Sequence, residues 1–446
     1  MKTKLLLLFV LISAIASSQS EISKKLQDIA IAPSAEHIKK DISKLVSYGT
    51  RHTLSDTIST TRGIGAARRW IKSEFDNISK TCNNCLEVSY QRNFVPKNIR
   101  RIVKDTWVVN VMAIQRGTKY PNRYVVMSGD IDSRVSDAND YTSDAPGAND
   151  NASGIAGTLE AARVLSKYKF PVSIIYLGLS GEEQGLYGGQ YMAKVAKEKG
   201  WDIVAVLNND MIGNIEGIDG VIDNTTFRVF SEAISMETTE QQRKAMRYYG
   251  GEVDGPSRQL ARYIDKLTDD YMTNLDAIMI YRLDRFGRGG HHKPFNDQGF
   301  TGVRIMETHE NYNRQHQDLR TKNGIKYGDV LAAVNFDYAA KLTAVNSLTL
   351  AALASAPPAP KNVMIAGAVQ PSTRLKWDAV NDNEIVGYKI YWRDTTSPQW
   401  QHSRFVGNIT DYTLENIVID NYFFGVASVG KNGSESIIQF PRKLIP

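Results

Sequence analysis

Apolar residues follow two different spacings in the first half of the chain. Four short runs are almost continuously apolar, which is typical of buried strands; they cover 107–114, 123–128, 172–178 and 203–207. Between the second and third runs, apolar residues recur every three or four positions from Ile155 to Leu165, which predicts a helix. Strands alternating with helices predict an α/β fold with a mostly parallel central sheet flanked by helices.

The pattern changes after a long helical stretch that ends near Leu350. Three prolines lie between 357 and 360. Because proline cannot continue a helix, we predict a stiff linker over 351–360. The linker separates a larger unit, 19–350, from a smaller one, 361–446.

The smaller unit has the alternating apolar and polar positions of β-strands. They occur at 375–377, 387–392 and 422–427, and Asn432-Gly433 is a turn signal. A tryptophan lies on an early strand and tyrosines lie on later ones. In these features the segment resembles a fibronectin type III sandwich.

The N-terminus, 1–18, predicts a signal peptide. Lys2 and Lys4 precede an uncharged apolar run from Leu5 to Ile12, and small residues follow. That run is too short to cross a bilayer, and no later segment approaches the roughly 20 apolar residues of a membrane span. We therefore expect a protein without a transmembrane segment that is secreted or periplasmic.

Composition narrows the function further. With 42% apolar and 23% charged residues, the chain has the material for a large core. The net charge of +6 is spread thinly, which argues against nucleic-acid binding. The cysteines, Cys82 and Cys85, predict a local disulfide in an oxidising compartment, with a redox or metal role as the weaker alternative.

Acidic residues gather where the predicted strands end. They lie in the segments 128–133, 147–154, 180–185 and 208–211. Carboxylates at the same edge of a sheet repel one another unless cations hold them, so the set predicts a metal site. A single acid is better explained as a helix cap or a solvated loop residue, and Asp150 lies where an N-cap is expected.

Together these segments resemble the secreted leucine-aminopeptidase-like family of dinuclear zinc metallopeptidases, whose wider relatives include glutaminyl cyclases and glutamate carboxypeptidases. The resemblance extends from about 45–52 to His316 and the helix beyond. It implies that Glu182 is the general base and that Asp150 bridges two divalent ions. The other metal ligands that it implies are Asp130, Glu183, Asp210 and His316.

The sequence departs from the family at Asp130, where most relatives have histidine. A carboxylate makes the site harder and more anionic than an imidazole would. Three outcomes are open: two zinc ions, manganese or cobalt at the Asp130 position, or a single metal. The resemblance implies a supporting role for Asp132, which would ordinarily orient that histidine.

The segment 285–295 also belongs to the resemblance and contains the pair His291 and His292. Since the implied ligand set is already complete, we favour pocket lining over metal ligation for His292. Arg288 is a hypothetical donor to the oxyanion of the reaction.

The resemblance implies a secreted metallo-aminopeptidase that acts on peptides. Two alternatives use the same scaffold, a glutaminyl cyclase and a carboxypeptidase. A third is a catalytically silent binding protein, against which the joint presence of a base and its metal ligands argues. For the smaller unit, we slightly prefer a stabilising appendage over contact with a surface or a polysaccharide.

Overall fold

The computed structural model describes residues 22–445, so the predicted signal peptide lies outside the described residues. Residues 22–30 are helical and are called α1. The remaining helices are α2 Ala35–Val46, α3 Gly63–Thr81, α4 Ala152–Leu165, α5 Tyr187–Glu198, α6 Glu240–Met246, α7 Pro256–Tyr271, α8 His292–Asp297 and α9 Phe336–Ser355. The strands of the larger unit are β1 Leu86–Val95, β2 Thr106–Gln115, β3 Tyr120–Asp130, β4 Val172–Leu179, β5 Asp202–Asn209, β6 Thr226–Phe230, β7 Asp276–Ile280, β8 Gly302–Glu307, β9 Arg320–Lys322 and β10 Ile325–Tyr327.

An eight-stranded sheet forms the centre of the larger unit, in the order β1-β2-β4-β3-β5-β8-β6-β7. All four predicted strands are present, as β2, β3, β4 and β5, and the predicted helix is α4. The central strands β4, β3, β5 and β8 run parallel. β2 pairs antiparallel with β4. The fold is therefore a mixed α/β sheet with a parallel centre.

Helices cover both faces of this sheet. On one face α4 and α9 pack in the largest apolar cluster with residues of β3 and β4. On the other face α5 and α8 contribute to a second cluster, which includes Met192 and Phe295. Because the central strands are parallel, their carboxyl ends meet at one edge, where ligand sites of such sheets form. Asp130 ends β3, and the segments that carry Glu182 and Asp210 follow β4 and β5.

The smaller unit is built from two sheets. Its strands are β11 Lys361–Ala366, β12 Thr373–Asp378, β13 Ile385–Asp394, β14 His402–Gly407, β15 Asp411–Leu414, β16 Tyr422–Gly430 and β17 Lys443–Leu444. One sheet has the order β15-β12-β11-β17 and the other β14-β13-β16. Their apolar faces share a single core, in which Trp377 packs edge-on against Tyr388. The fibronectin type III resemblance itself stays a prediction.

The segment predicted as a linker is partly helical. Helix α9 continues to Ser355, so the first half of 351–360 is buried helix rather than spacer. Alanine and leucine favour the helix over these positions. It ends at Ala356, directly before Pro357, because a residue that precedes proline is displaced from the helical conformation. Across residues 22–445, no helix is both long and apolar enough to pass through a membrane.

The two units are joined by a buried ionic cluster. Asp254, just before α7, accepts hydrogen bonds from Arg262 of α7 and from Arg393 of β13. All three side chains are at most 3% exposed, so the charges are paired out of contact with water. Neighbouring polar contacts, such as Gln399 Nε2 to Asp265 at 2.8 Å, extend this interface along α7.

Asp254→Asn should therefore destabilise the protein, because it leaves two buried guanidinium groups without their counter-ion. We expect the free energy of unfolding to fall by about 3 kcal/mol. Denaturant unfolding of both proteins measures the change. Asp411→Asn is the matched control, since Asp411 pairs with Arg374 at the surface and its loss should leave stability almost unchanged. Equal effects of the two substitutions on the free energy of unfolding would contradict a stabilising role for the buried cluster.

Candidate metal centre

Three of the predicted ligands come together at the carboxyl edge of the sheet. His316 Nε2 lies 3.0 Å from Asp150 Oδ2 and 3.0 Å from Glu183 Oε1. The three ligand atoms all lie within 4.8 Å of one another, and Asp150 and Glu183 are buried. Two carboxylates and one imidazole in such a group can hold a divalent ion.

Backbone contacts fix Asp150 in this group. Its N–H donates to Asp329 Oδ2 at 2.7 Å, and the N–H of Asn149 donates to the same carboxylate. The N-cap of α4 is Asn151, whose side chain accepts from Gly154. The expected explanation of Asp150 as a helix cap is therefore wrong, and its carboxylate is available to a metal.

Asp132 positions the adjacent glutamates. Its carboxylate accepts from the backbone N–H of Glu182 at 3.2 Å and of Glu183 at 3.0 Å, and from the Thr53 hydroxyl at 3.1 Å. The turn after β4, which carries both glutamates, is thereby held in place. Asp132 thus contacts and positions the loop of the glutamate pair.

Arg134 and the backbone complete the support of the group. Arg134 Nε lies 2.7 Å from Glu183 Oε2, and its Nη2 lies 2.7 Å from His316 Nδ1. His316 has φ of 53°, a conformation that residues other than glycine rarely adopt. Such a conformation persists only where surrounding contacts enforce it, as at a binding site.

In the absence of a metal, His316 and the two carboxylates, Asp150 and Glu183, stabilise each other's charged forms. Burial alone would raise the carboxyl pKa values and lower that of the imidazole. The attraction between His316 and the two acids is stronger, so the pKa of Asp150 and that of Glu183 lie below their usual values. The pKa of His316 is raised to about 9 for the same reason. The group is therefore a site where cationic and anionic groups stabilise each other.

Glu182 is half-buried beside these ligands, and no hydrogen bond from residues 22–445 reaches its carboxylate. Burial, followed by repulsion from Glu183 and Asp210, raises its pKa well above the usual value. A carboxylate with a raised pKa and no fixed partner is suited to accept a proton and later release it.

Asp130 and Asp210 have other partners. Asp130 Oδ1 lies 2.5 Å from His291 Nδ1, and its Oδ2 accepts from Asn151 Nδ2 at 2.7 Å. Asp210 Oδ2 lies 2.8 Å from Arg304 Nη2. Burial raises the pKa of Asp130 to about 8 and that of Asp210 to about 7. Among residues 22–445, neither joins a three-ligand group with Asp150 inside 4.8 Å.

The two predicted pocket residues behave differently. Arg288 is about one-third exposed, lies 3.6 Å from Glu310, and is close enough to Asp150 to lower its pKa, so it borders the site. His292 is fully buried, and its Nε2 contacts the Leu283 carbonyl at 2.8 Å. Its neighbour His291 is the one that reaches Asp130, because the turn before α8 points successive side chains in different directions.

Four supporting residues were not identified from the sequence: Arg134, Asn151, Arg304 and Asp329. Arg304 offered a signal, since it is a charged residue within the apolar strand β8. Arg134 directly follows the 128–133 segment. Asp329 lies in a loop far along the chain, and only the fold brings it to Asp150.

The donor set fits a divalent ion of the zinc type, which takes carboxylate oxygen and imidazole nitrogen. The surroundings support this, because several carboxyl groups crowd this edge: burial, followed by repulsion from Glu183, raises the pKa of Asp132 to about 7 and raises that of Glu182 as well. A cation relieves that cost. The site is thus chemically complete for one ion.

Comparisons with known proteins agree with this chemistry. Residues 110–332 match Peptidase family M28. A "Probable zinc metalloprotease" of Pyrenophora tritici-repentis is 43% identical over 412 residues, which cover 92% of this chain and 85% of that protein. Another of Leptosphaeria maculans is 41% identical over 424 residues, which cover 95% and 97%.

Solved structures share the fold. The LapA aminopeptidase of Legionella pneumophila superposes with a TM-score of 0.53 at 18% identity, over 75% of each chain. LapB of the same organism gives 0.50 at 18% identity, over 73% of each chain. Taken with the matched family segment and the long, similar relatives, these findings show that the chain belongs to peptidase family M28.

Proposed function

We propose that this protein is a secreted, zinc-dependent aminopeptidase. The observation that carries the proposal is the convergence of Asp150, Glu183 and His316 beside the unpaired carboxylate of Glu182. A metal-ligand group next to a proton acceptor is the minimum that metal-assisted hydrolysis of a peptide requires. The names of the M28 relatives as zinc metalloproteases support the choice of metal and reaction.

The positions of the residues in the site indicate the role of each in hydrolysis. A zinc ion held by Asp150, Glu183 and His316 would lower the pKa of water toward neutrality and polarise the scissile carbonyl. Glu182 accepts the proton of the attacking water and passes it to the leaving amine. Asp132 keeps Glu182 and Glu183 in place through their backbone N–H groups.

The specificity for a free amino terminus is supported by charge. Around the ligand group lie further carboxyl groups, those of Asp130, Asp132, Glu182 and Asp210. An ionised carboxylate among them would attract the ammonium group of a peptide N-terminus. LapA, which shares the fold, is an aminopeptidase.

One observation favours a carboxypeptidase as the second candidate. The guanidinium of Arg288 is partly exposed at the border of the site and lies near Asp150. Arginine binds carboxylates through two parallel hydrogen bonds, so it could receive the C-terminus of a peptide. The same protein can be tested for both activities.

The test measures hydrolysis by the purified mature chain, loaded with zinc. One panel contains aminoacyl anilides with a free amino group, and a second contains N-blocked dipeptides with a free carboxyl group. Release of the aniline from the first panel alone supports the aminopeptidase, and cleavage of the blocked dipeptides alone supports the carboxypeptidase. No hydrolysis of either panel by folded, zinc-loaded protein would exclude both.

Removal of the metal should lower stability as well as activity. An ion that binds only the folded chain stabilises it by about 4 kcal/mol when its free concentration exceeds Kd roughly 1,000-fold. We expect a lower thermal midpoint after chelation and its recovery when zinc is returned, both followed by calorimetry. A midpoint that chelation does not change would contradict a metal bound in the folded state.

Secretion is supported by the N-terminal pattern and by the Cys82–Cys85 disulfide, a bond that persists in oxidising compartments. N-terminal sequencing of the exported protein tests it. A mature chain that begins near residue 19 is the expected result, and a chain that retains Met1 inside the cell would exclude secretion.

A further inference from the structure

The three-residue metal group leaves two predicted ligands, Asp130 and Asp210, for a second ion. Such an ion would share Asp150 with the first and would need both remaining carboxylates. Their geometry is thus decisive for whether the chain can hold two ions.

Both oxygens of Asp130 are already engaged. Oδ1 lies 2.5 Å from His291 Nδ1, and Oδ2 accepts from Asn151 Nδ2 at 2.7 Å. Asn151 is itself fixed, because its side chain also donates to the Asn209 carbonyl at 2.7 Å and accepts from Gly154 as the α4 cap. A metal could reach Asp130 only by displacing a partner that is held on several sides.

Asp210 is held by a cation of the chain itself. Arg304, which is completely buried, brings Nη2 to 2.8 Å from Asp210 Oδ2. Asp284 anchors the same guanidinium from the other side, at 3.0 and 3.1 Å. Arg285 Nη2 lies 3.9 Å from the same oxygen of Asp210. A second metal ion would therefore face a fixed positive charge.

Two buried atoms nearby have no hydrogen-bond partner, Asp210 Oδ1 and His291 Nε2. Both atoms belong to residues beside the first group and are candidates for a second site. Zinc sites in proteins use at least three protein ligands. Within residues 22–445, however, neither Asp210 nor His291 belongs to a group of three ligand atoms inside 4.8 Å.

We infer that this chain binds one divalent ion, at Asp150, Glu183 and His316, and that the guanidinium of Arg304 takes the place of the second ion that the family resemblance implies. The use of the site in hydrolysis rests on the proposed function, whereas the number of ions does not. Arg304 is a positioning residue, since it holds Asp210 and provides a permanent positive charge beside the acidic groups.

The first experiment counts metal. The zinc content of zinc-loaded, desalted protein is measured by elemental mass spectrometry. In parallel, the metal-free protein is titrated with Co²⁺ while its visible absorbance is followed. We expect one ion per chain in wild type, one in Asp210→Asn and one in Asp130→Asn, and none in His316→Ala. Two ions in wild type, falling to one in Asp210→Asn, would overturn the inference whether or not peptides are cleaved.

The second experiment tests Arg304 directly. Asp130→His restores the ligand of most relatives but keeps the guanidinium, so we expect it to bind one Co²⁺. The double variant Asp130→His/Arg304→Gln removes the guanidinium and should bind a second Co²⁺. A second ion in Asp130→His alone, or only one in the folded double variant, would overturn the role of Arg304. Should the double variant fail to fold, the wild-type and single-variant counts still decide the number of ions.

The two proposals fail in separable ways. A chain with one ion and no peptidase activity refutes the proposed function and leaves the inference intact. A chain that binds two ions and cleaves anilides supports the proposed function and refutes the inference of a single ion.

Discussion

Glu182→Gln is expected to lower kcat/KM for the best anilide by about 10³-fold, with the metal content unchanged. Glutamine keeps the size of the side chain but cannot accept the proton of the attacking water. Because Glu182 receives no hydrogen bond from residues 22–445 and is not one of the three convergent ligands, its replacement should disturb neither folding nor metal binding. Steady-state kinetics and metal analysis of the same preparation measure both quantities.

Glu198→Gln is the matched control for this substitution. Glu198 is exposed in the last turn of α5, where it lies 3.8 Å from Lys194, so its loss should change neither activity nor metal content. A Glu182→Gln protein that kept a tenth or more of the wild-type kcat/KM would show that another group accepts the proton.

His316→Ala should abolish metal binding at micromolar zinc, and activity with it. The imidazole supplies the nitrogen of the three-ligand group, and its Nε2 lies 3.0 Å from an oxygen of Asp150 and of Glu183. Without it, two carboxylates repel each other and offer too few ligands for a zinc site. Isothermal titration of the metal-free protein with zinc measures the loss.

His402→Ala serves as the control here, since His402 is exposed on β14 and stacks on Trp392 in the smaller unit. It should bind zinc as the wild type does. If His316→Ala bound one zinc with unchanged affinity, the three-residue group would not be the metal site.

The sequence predicted the strands and the positions of the acidic residues because continuous apolar runs and the polar segments after them are local signals. It could not predict strand direction, and β2 proved antiparallel to β4, since an apolar pattern is the same in both directions. The end of α9 was placed too early for a different reason. The prolines mark where a helix must stop, but here the alanines before them continue it.

The candidate site was predictable only in part: three of the five ligands that the resemblance implied come together, whereas Asp130 and Asp210 have other partners. Resemblance supplied Asp150, Glu183 and His316, which the fold brings together. The contact of Asp130 with His291 depends on the turn before α8, and the contact of Asp210 with Arg304 depends on β8 lying beside β5. Neither arrangement can be predicted from the sequence around these residues. Arg304, a charged residue inside the apolar strand β8, indicated that a buried acidic partner existed, but not which residue it was.

The ionic cluster between the two units bears on how such chains can be recombined. Asp254 and Arg262 belong to the larger unit, and Arg393 is contributed by the smaller one. A chimaera that joined this M28 unit to an unrelated C-terminal module would keep Asp254 and Arg262 but lose Arg393, the third residue of the cluster. An exchange of the C-terminal unit that keeps the larger unit stable would therefore need an arginine at the position of Arg393.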